Sequence, residues 1–208
     1  WRENSKFDVK SFYGSVEYRH SNNLLVGMNM THSQFLSQQP GGLTDIQFEQ
    51  DPQQSLRSRN WMSTPWNSSA LTFEYDVFKN TKLNIKAFST NAQRNSVGFV
   101  DAISTPDKII DSLDTYSKRR IDRDWYNNQG VEARILQSYS IFGNRSSLAA
   151  GVRLYQGETT RKQKGIGSTG SDYDLSIVQQ TNGQDWANSL QLGTKNLAFF
   201  AENLFKFT

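Results

Sequence analysis

The chain has 208 residues, a formal net charge of +3, 36% hydrophobic and 21% charged residues, and 12% Phe, Trp and Tyr. That is too apolar and aromatic for a disordered chain, and no run of about 18 apolar residues supplies a membrane-spanning helix. The lack of Cys excludes disulfide scaffolds, thiol nucleophiles and Cys-ligated zinc, His20 and His32 leave little for His-based chemistry, and no Lys/Arg stripe points to nucleic acid.

The chain opens on Trp1 without a signal-peptide apolar core, and it stops at Phe207 and Thr208 inside an apolar alternating run. It reads as a piece of a longer protein. Between these ends, alternation of apolar and polar residues marks strands, because side chains point to opposite faces along a strand. In the first, Phe12, Gly14, Val16 and Tyr18 oppose Ser11, Ser15, Glu17 and Arg19. In the second, Leu24, Val26, Met28 and Met30 oppose Gly27, Asn29 and Thr31. In the third, Ser69, Leu71, Phe73, Tyr75 and Val77 oppose Ala70, Thr72, Glu74, Asp76 and Phe78. In the fourth, Leu83, Ile85 and Ala87 oppose Lys82, Asn84 and Lys86. In the fifth, Val131, Ala133, Ile135, Tyr139 and Ile141 oppose Glu132, Arg134, Ser138 and Ser140. In the sixth, Leu148, Ala150, Val152 and Leu154 oppose Gly151, Arg153 and Tyr155. In the seventh, Leu197, Phe199, Ala201, Phe205 and Phe207 oppose Glu202 and Lys206. These runs of roughly 8–13 residues exceed the mean soluble strand of about 5–6 and suit a membrane crossing of about 9–11.

The connections alternate in length. Tight turns fall at 20–23, 79–81 and 142–146, and long loops at 34–67, 92–126 and 156–194. Short periplasmic turns and long extracellular loops are the layout of an outer-membrane barrel, whereas long loops are uncommon in compact soluble domains. Pro40, Pro52, Pro65 and Pro106 all fall in the long loops, where a missing backbone donor costs least. The five Trp fall in loops or near strand ends, and Tyr18, Tyr75, Tyr139 and Phe205 lie toward the tight turns, as interfacial aromatic girdles do. The charged faces suit a wet or plugged lumen and the apolar faces suit lipid. The expected fold is therefore all-β, part of a large antiparallel transmembrane barrel. Seven strands leave two unpaired edges, so residues 1–208 are expected to be one portion of a barrel domain.

In the first long loop, Arg57 and Arg59 either clamp an anionic ligand with their forked donors or pair with Asp45, Glu49 or Asp51 and order the loop. In the second, Thr105 and Pro106 read as N-cap and N1 of a short helix through Tyr116, with Ile109, Ile110, Leu113 and Tyr116 on one face. The basic run Lys118, Arg119, Arg120 and Arg123, interleaved with Asp122 and Asp124, is either an anion- or lipopolysaccharide-binding cluster or a self-neutralising solvated run. In the third, 160–168 reads as a polar Gly-rich surface loop, without the closing residues of a phosphate loop. Asp172/Asp174 and Asp122/Asp124 lack the Gly and terminal Glu of a calcium loop. No nucleophile–base set appears, so no enzymatic activity is expected.

Gln38, Gln39, Pro40, Gly41, Gly42, Leu43, Thr44 and Asp45, followed by Asp51-Pro52 and by Arg57, Ser58, Arg59, Asn60 and Trp61, resemble a loop of TonB-dependent outer-membrane receptors of the ferric-dicitrate and siderophore type. Leu197 to Phe205 resembles their late barrel strands. The resemblance implies a 22-stranded barrel closed by an N-terminal plug, in the outer membrane of a Gram-negative bacterium. It implies uptake of an iron chelate, with no cofactor of the protein's own. Its implied partners are outer-membrane lipid and lipopolysaccharide, the chelate, and a TonB-type energy-transducing protein engaged through an N-terminal region outside this sequence. Chemistry and position make Gln39, Arg57, Arg59, Trp61, Arg119 and Arg120 the candidate ligand contacts. The alternatives are a passive porin-like channel and a soluble all-β glycan-binding module.

Overall fold

A computed structural model describes residues 1–110 and 112–206. It contains β1 (Phe7–Ser21), β2 (Leu24–Gln38), α1 (Asp45–Gln50), β3 (Trp61–Ser63), β4 (Trp66–Phe78), β5 (Thr81–Gly98), β6 (Arg120–Ile141), β7 (Asn144–Ile166) and β8 (Asn188–Leu204). All strands join one antiparallel sheet in chain order, with β3 and β4 both lying between β2 and β5. Those two are one crossing. Leu36 faces Ser63 and Ser33 faces Trp66, so the register runs unbroken across the gap. Pro65 has no N–H to give, yet its carbonyl accepts from Gln93 N–H (2.9 Å), and Thr64 N–H donates to the Phe35 carbonyl (2.9 Å). The eight named strands therefore make the seven crossings that alternation predicts.

Pairing puts the apolar residues of every crossing on one face. Val26, Phe73, Ile85, Ala133, Val152 and Phe199 form one row across the sheet. Met28, Leu71, Ala87, Val131, Leu154 and Leu197 form the row above, toward the long loops. Leu24, Tyr75, Leu83, Ile135, Ala150 and Ala201 form the row below. A slip of one residue in any strand would break all three rows. The opposite face carries Thr72, Lys86, Glu132 and Arg153 in one row and Glu74, Asn84 and Arg134 in the next. Among the described residues nothing covers the apolar face. Among the described residues the buried hydrophobics are only Ala70, Ala92, Val97 and Ile121, while Val16 and Phe199 are 71% and 77% exposed. Burial of apolar area is the main favourable term in folding in water, and this sheet leaves most of its apolar side chains open.

On the polar face, Phe88 lies opposite Gly130 and its ring crosses the strand gap. A Cβ at Gly130 would meet Phe88 Cζ at 2.5 Å and the Leu154 carbonyl at 2.7 Å, so glycine is required by close approach. Gly130→Val is expected to cost about 1–3 kcal/mol through overpacking. Gly193→Val, where nothing lies within 4 Å, should be neutral, and urea-unfolding midpoints of the two variants check the contrast.

The strands run longer than alternation predicts. The turns shrink to 22–23, 79–80 and 142–143, and the loops to 39–60, 99–119 and 167–187. The expected loop segment 160–168 is mostly strand, since β7 continues to Ile166, and the basic run from Arg120 onward lies in β6. There the ladder is held by polar pairs that carry no apolar alternation. Asp124, opposite Arg94 and Arg161, accepts from Arg161 Nε at 3.1 Å and sits 3.3 Å from Arg94 Nε. The expected helix over 105–116 is absent among the described residues, Asp111 lying outside them. Ile110 pairs with Thr115 around a turn with Asp114 at φ 49°. The helix forms instead at α1, where Thr44 and Gln47 make a reciprocal capping box. Phe205 follows the end of β8, and Phe207 lies outside the described residues.

Candidate functional site

The three long loops meet at one end of the sheet, opposite the tight turns, and three arginines fasten them into a single cap. Arg57 leaves loop 39–60 and donates to the carbonyls of Thr105 (2.5 Å), Ala102 (2.9 Å) and Asp101 (3.3 Å) in loop 99–119. Its guanidinium lies 4.9 Å from the Phe99 ring centre. Gly41, at φ 75°, makes room for it, since a Cβ there would meet Arg57 Cγ at 2.7 Å. Asn60 clamps the same loop, donating to the Phe99 carbonyl (3.1 Å) and accepting its N–H (2.7 Å).

Arg59 sits deeper, 1% exposed. It grips the Asp107 carboxylate with two parallel bonds, Nε–Oδ2 at 2.8 Å and Nη2–Oδ1 at 2.6 Å. Its Nη1 reaches the third loop, donating to the Thr169 carbonyl (2.9 Å) and to the Ser117 carbonyl (3.2 Å). The guanidinium covers the Tyr116 ring at 4.2 Å. Arg119 completes the closure, donating to the carbonyls of Asp172 (2.6 Å) and Arg59 (3.2 Å) and to Ser168 Oγ (2.9 Å). Burial first, and then the Arg59 cation beside it, hold Arg119 below the usual guanidinium value, partly offset by Asp172, Asp174 and Asp107. It remains a cation throughout the biological pH range.

The sequence candidates are therefore placed as follows. Arg57, Arg59 and Arg119 are buried together, and their donors are taken by loop carbonyls and Asp107 rather than by Asp45, Glu49 or Asp51. Trp61, in β3, donates Nε1–H to the Ser171 carbonyl (2.7 Å). Gln39 donates to Ser37 Oγ (2.7 Å). Arg120, at the start of β6 and partly exposed, pairs with Asp122 at 2.9 Å. Alternation could not show Arg2, which ties the N-terminal segment to loop 39–60 through the carbonyls of Gly41 (2.7 Å) and Gln54 (2.9 Å).

The cap also carries carboxylates outside the buried Arg59–Asp107 pair. Asp174 is one of these, and the Ser176 backbone N–H (2.9 Å) holds its carboxyl below the usual carboxylate range, aided by the Ser176 and Ser168 hydroxyls and by Arg119. A carboxyl with a lowered folded pKa stabilises above its unfolded value and loses that contribution as pH falls through the folded one. Protection of the Ser176 amide, taken relative to the intrinsic exchange rate at each pH, should thus fall as pH drops below about 4, and amide exchange across the acid range measures it.

Below the cap, the polar face of the sheet holds a hollow of about 610 Å³ lined by Lys86, Glu132, Arg134 and Arg153 with serines, threonines and asparagines. Its charged lining comprises three cations and one carboxylate, Glu132, which Arg134 Nη2 contacts at 2.7 Å. Arg153 lies 5.1 Å from the Phe88 ring and 5.9 Å from that of Tyr155, and Arg134 lies 5.4 Å from Phe200. Phe88 and Phe200 interrupt the polar periodicity of their strands, whereas alternation already placed Tyr155 on this face. Among the described residues no cluster of acids or histidines could hold a metal ion.

No family model and no curated protein matches the chain. Among solved structures, it is similar to the ferric citrate transporter FecA in its unliganded form, with a TM-score of 0.78 at 17% sequence identity. The match covers 98% of this chain and 28% of that one, so the chain spans little more than a quarter of the transporter's length. At that identity the likeness establishes the fold: this is the fold of an antiparallel β-barrel wall segment.

Proposed function

We propose that the chain forms part of the wall and rim of an outer-membrane, TonB-dependent transporter that takes up an iron chelate, ferric citrate or a siderophore. The observation that carries this reading is the apolar band in register across seven crossings, uncovered on one face and backed by a charged face. Such a sheet suits lipid outside and a wet or plugged lumen inside. The likeness to a ferric citrate transporter directs the choice of ligand. The hollow with its excess of positive charge suits an anionic chelate, which fixed cations attract and steer. In this reading Arg57, Arg59, Trp61 and Arg119 serve the ligand by holding the three loops as one platform, and Gln39 and Arg120 beside it are ligand contacts. Lipopolysaccharide and membrane lipid surround the wall, and a TonB-type protein acts through the rest of the transporter.

The test is uptake of radiolabelled ferric citrate and ferric siderophores by cells producing the protein. Saturable uptake that stops when the proton gradient is collapsed is the expected result. Uptake that persists would identify a passive porin-like channel. Absence of binding to every chelate, with the protein correctly inserted, would remove the iron-chelate reading.

A further inference from the structure

Between the hollow and the cap, large apolar side chains appear on the polar face. A single row crosses the sheet there through Val9, Phe35, Arg94, Asp124, Arg161 and Leu190, with Thr64 carrying the register from Phe35 to Arg94. It stands eight residues above the row of Lys86, Glu132 and Arg153, about 27 Å at the rise of a strand, and the even spacing keeps it on the same face. Phe7 lies two residues above it, and Trp66 and Leu192 two residues below. Phe7, Val9, Trp66, Leu190 and Leu192 are 49–57% exposed, so packing within the sheet does not account for them.

The row has a cationic centre and two apolar ends. On one side three rings stack, Trp1 on Phe7 at 6.2 Å and 24°, and Phe7 on Phe35 at 6.4 Å and 22°. The bonds of Arg2 to loop 39–60 hold the N-terminal end of this stack in place. On the other side stand Leu190 and Leu192. In the centre, the buried Asp124 carboxylate fixes two half-open guanidiniums, touching Nε of Arg94 at 3.3 Å and Nε and Nη2 of Arg161 at 3.1 and 3.4 Å. Both Nη groups of Arg94 and Nη1 of Arg161 have no partner among the described residues. One carboxylate thus aims two cations and neutralises only one of them, which leaves a charge and a set of forked donors for an anion. The two guanidiniums belong to strands two spacings apart, about 10 Å, and the apolar flanks begin about 5–10 Å further out.

Resting on the chelate-uptake reading above, we propose that this row selects iron chelates whose anionic centre carries apolar arms over compact polyanions such as ferric citrate. The chelate centre sits against Arg94 and Arg161. One arm lies on the ring stack and Trp66, the other on the leucine pair. A bare citrate complex uses the cations and leaves both flanks in water, so the apolar surface discriminates between ligands that charge alone treats equally.

The test compares two ferric complexes of one citrate-centred dihydroxamate chelator, alike in charge and differing only in whether the arms end in acetyl or octanoyl groups. Binding of labelled iron to the whole transporter in lipid nanodiscs is counted, with empty discs subtracted. The octanoyl complex should bind at least about ten-fold more tightly. Leu190→Asn with Leu192→Asn, and independently Trp1→Ser with Phe7→Ser, should each bring it to within about three-fold of the acetyl complex. Arg94→Gln should weaken both complexes alike, by about ten-fold. Equal affinity of the two complexes for the unaltered protein, or tighter binding of ferric citrate than of the octanoyl complex, overturns the selectivity. A preference that survives in both apolar double variants, or Arg94→Gln without effect, overturns the site. Failure of every complex, ferric citrate included, to bind correctly inserted protein overturns the chelate-uptake reading itself, whereas binding without arm preference overturns only the role of this row.

Discussion

Arg59→Ala is expected to release all three long loops at once. The substitution leaves the Asp107 carboxylate, 0% exposed, without its bidentate cation, and it strips donors from the Thr169 and Ser117 carbonyls. Removing one partner of a buried pair costs about 3–5 kcal/mol, because the other charge stays desolvated. Arg59→Lys should recover little, since an ammonium cannot reproduce the planar fork that spans Asp107 and the third loop. Arg59→Leu combined with Asp107→Leu should restore part of the loss by removing the stranded charge. Limited proteolysis and amide exchange read the outcome. Loss of protection across 39–60, 99–119 and 167–187, with the paired centres of β5 to β7 unchanged, is the expected pattern. Loss confined to the neighbours of residue 59 would show that the loops are ordered separately.

Charge placed on the two faces of one strand should give opposite results. Val152 lies in the middle row of the apolar face, and Ala149 on the polar face of the same strand, opposite Leu136 and Glu202. With the apolar face in lipid, Val152→Arg costs about 2–4 kcal/mol, the value for a cation at the bilayer midplane of a barrel. Ala149→Arg, facing water and near Glu202, should cost close to nothing. Urea titration of protein folded into lipid vesicles measures both. Equal effects would mean that lipid does not contact the row of Val152 and Phe199, and the wall reading would fail with it.

The lower halves of the strands were legible because an apolar face and a polar face divide alternate residues between them. Leu71, Phe73 and Tyr75 against Thr72, Glu74 and Asp76 leave one assignment of face and period. The upper halves of β6 and β7 were hidden because both faces there carry polar side chains. Thr159, Arg161 and Gln163 carry no less polarity than Thr160 and Lys162, so period two vanishes although the ladder continues. The helix expected over 105–116 had capping chemistry in its favour, but Asp107 is bound by Arg59 and its N–H is taken by the Leu56 carbonyl (3.1 Å). A helix of about three turns gains too little by itself to compete with such fixed long-range bonds. In the cap, the right residues were singled out at Arg57, Arg59 and Arg119. Apart from the Leu56 carbonyl beside Arg57, their partners lay 44 to 111 positions away and were mostly main-chain oxygens, which sequence cannot distinguish from any others.

That choice of acceptor bears on how such a rim can diversify. Arg57 reads the carbonyls of Asp101, Ala102 and Thr105, and Arg59 and Arg119 read those of Ser117, Thr169 and Asp172. Every residue type carries that oxygen, so substitution at these acceptor positions leaves the fastening atoms in place. Framework and decoration are thus encoded separately: three guanidiniums and Asp107 fix the shape, while the side chains around them are released to drift. A surface built this way can change what it displays to its surroundings, whether cargo or attacker, without relearning how to fold.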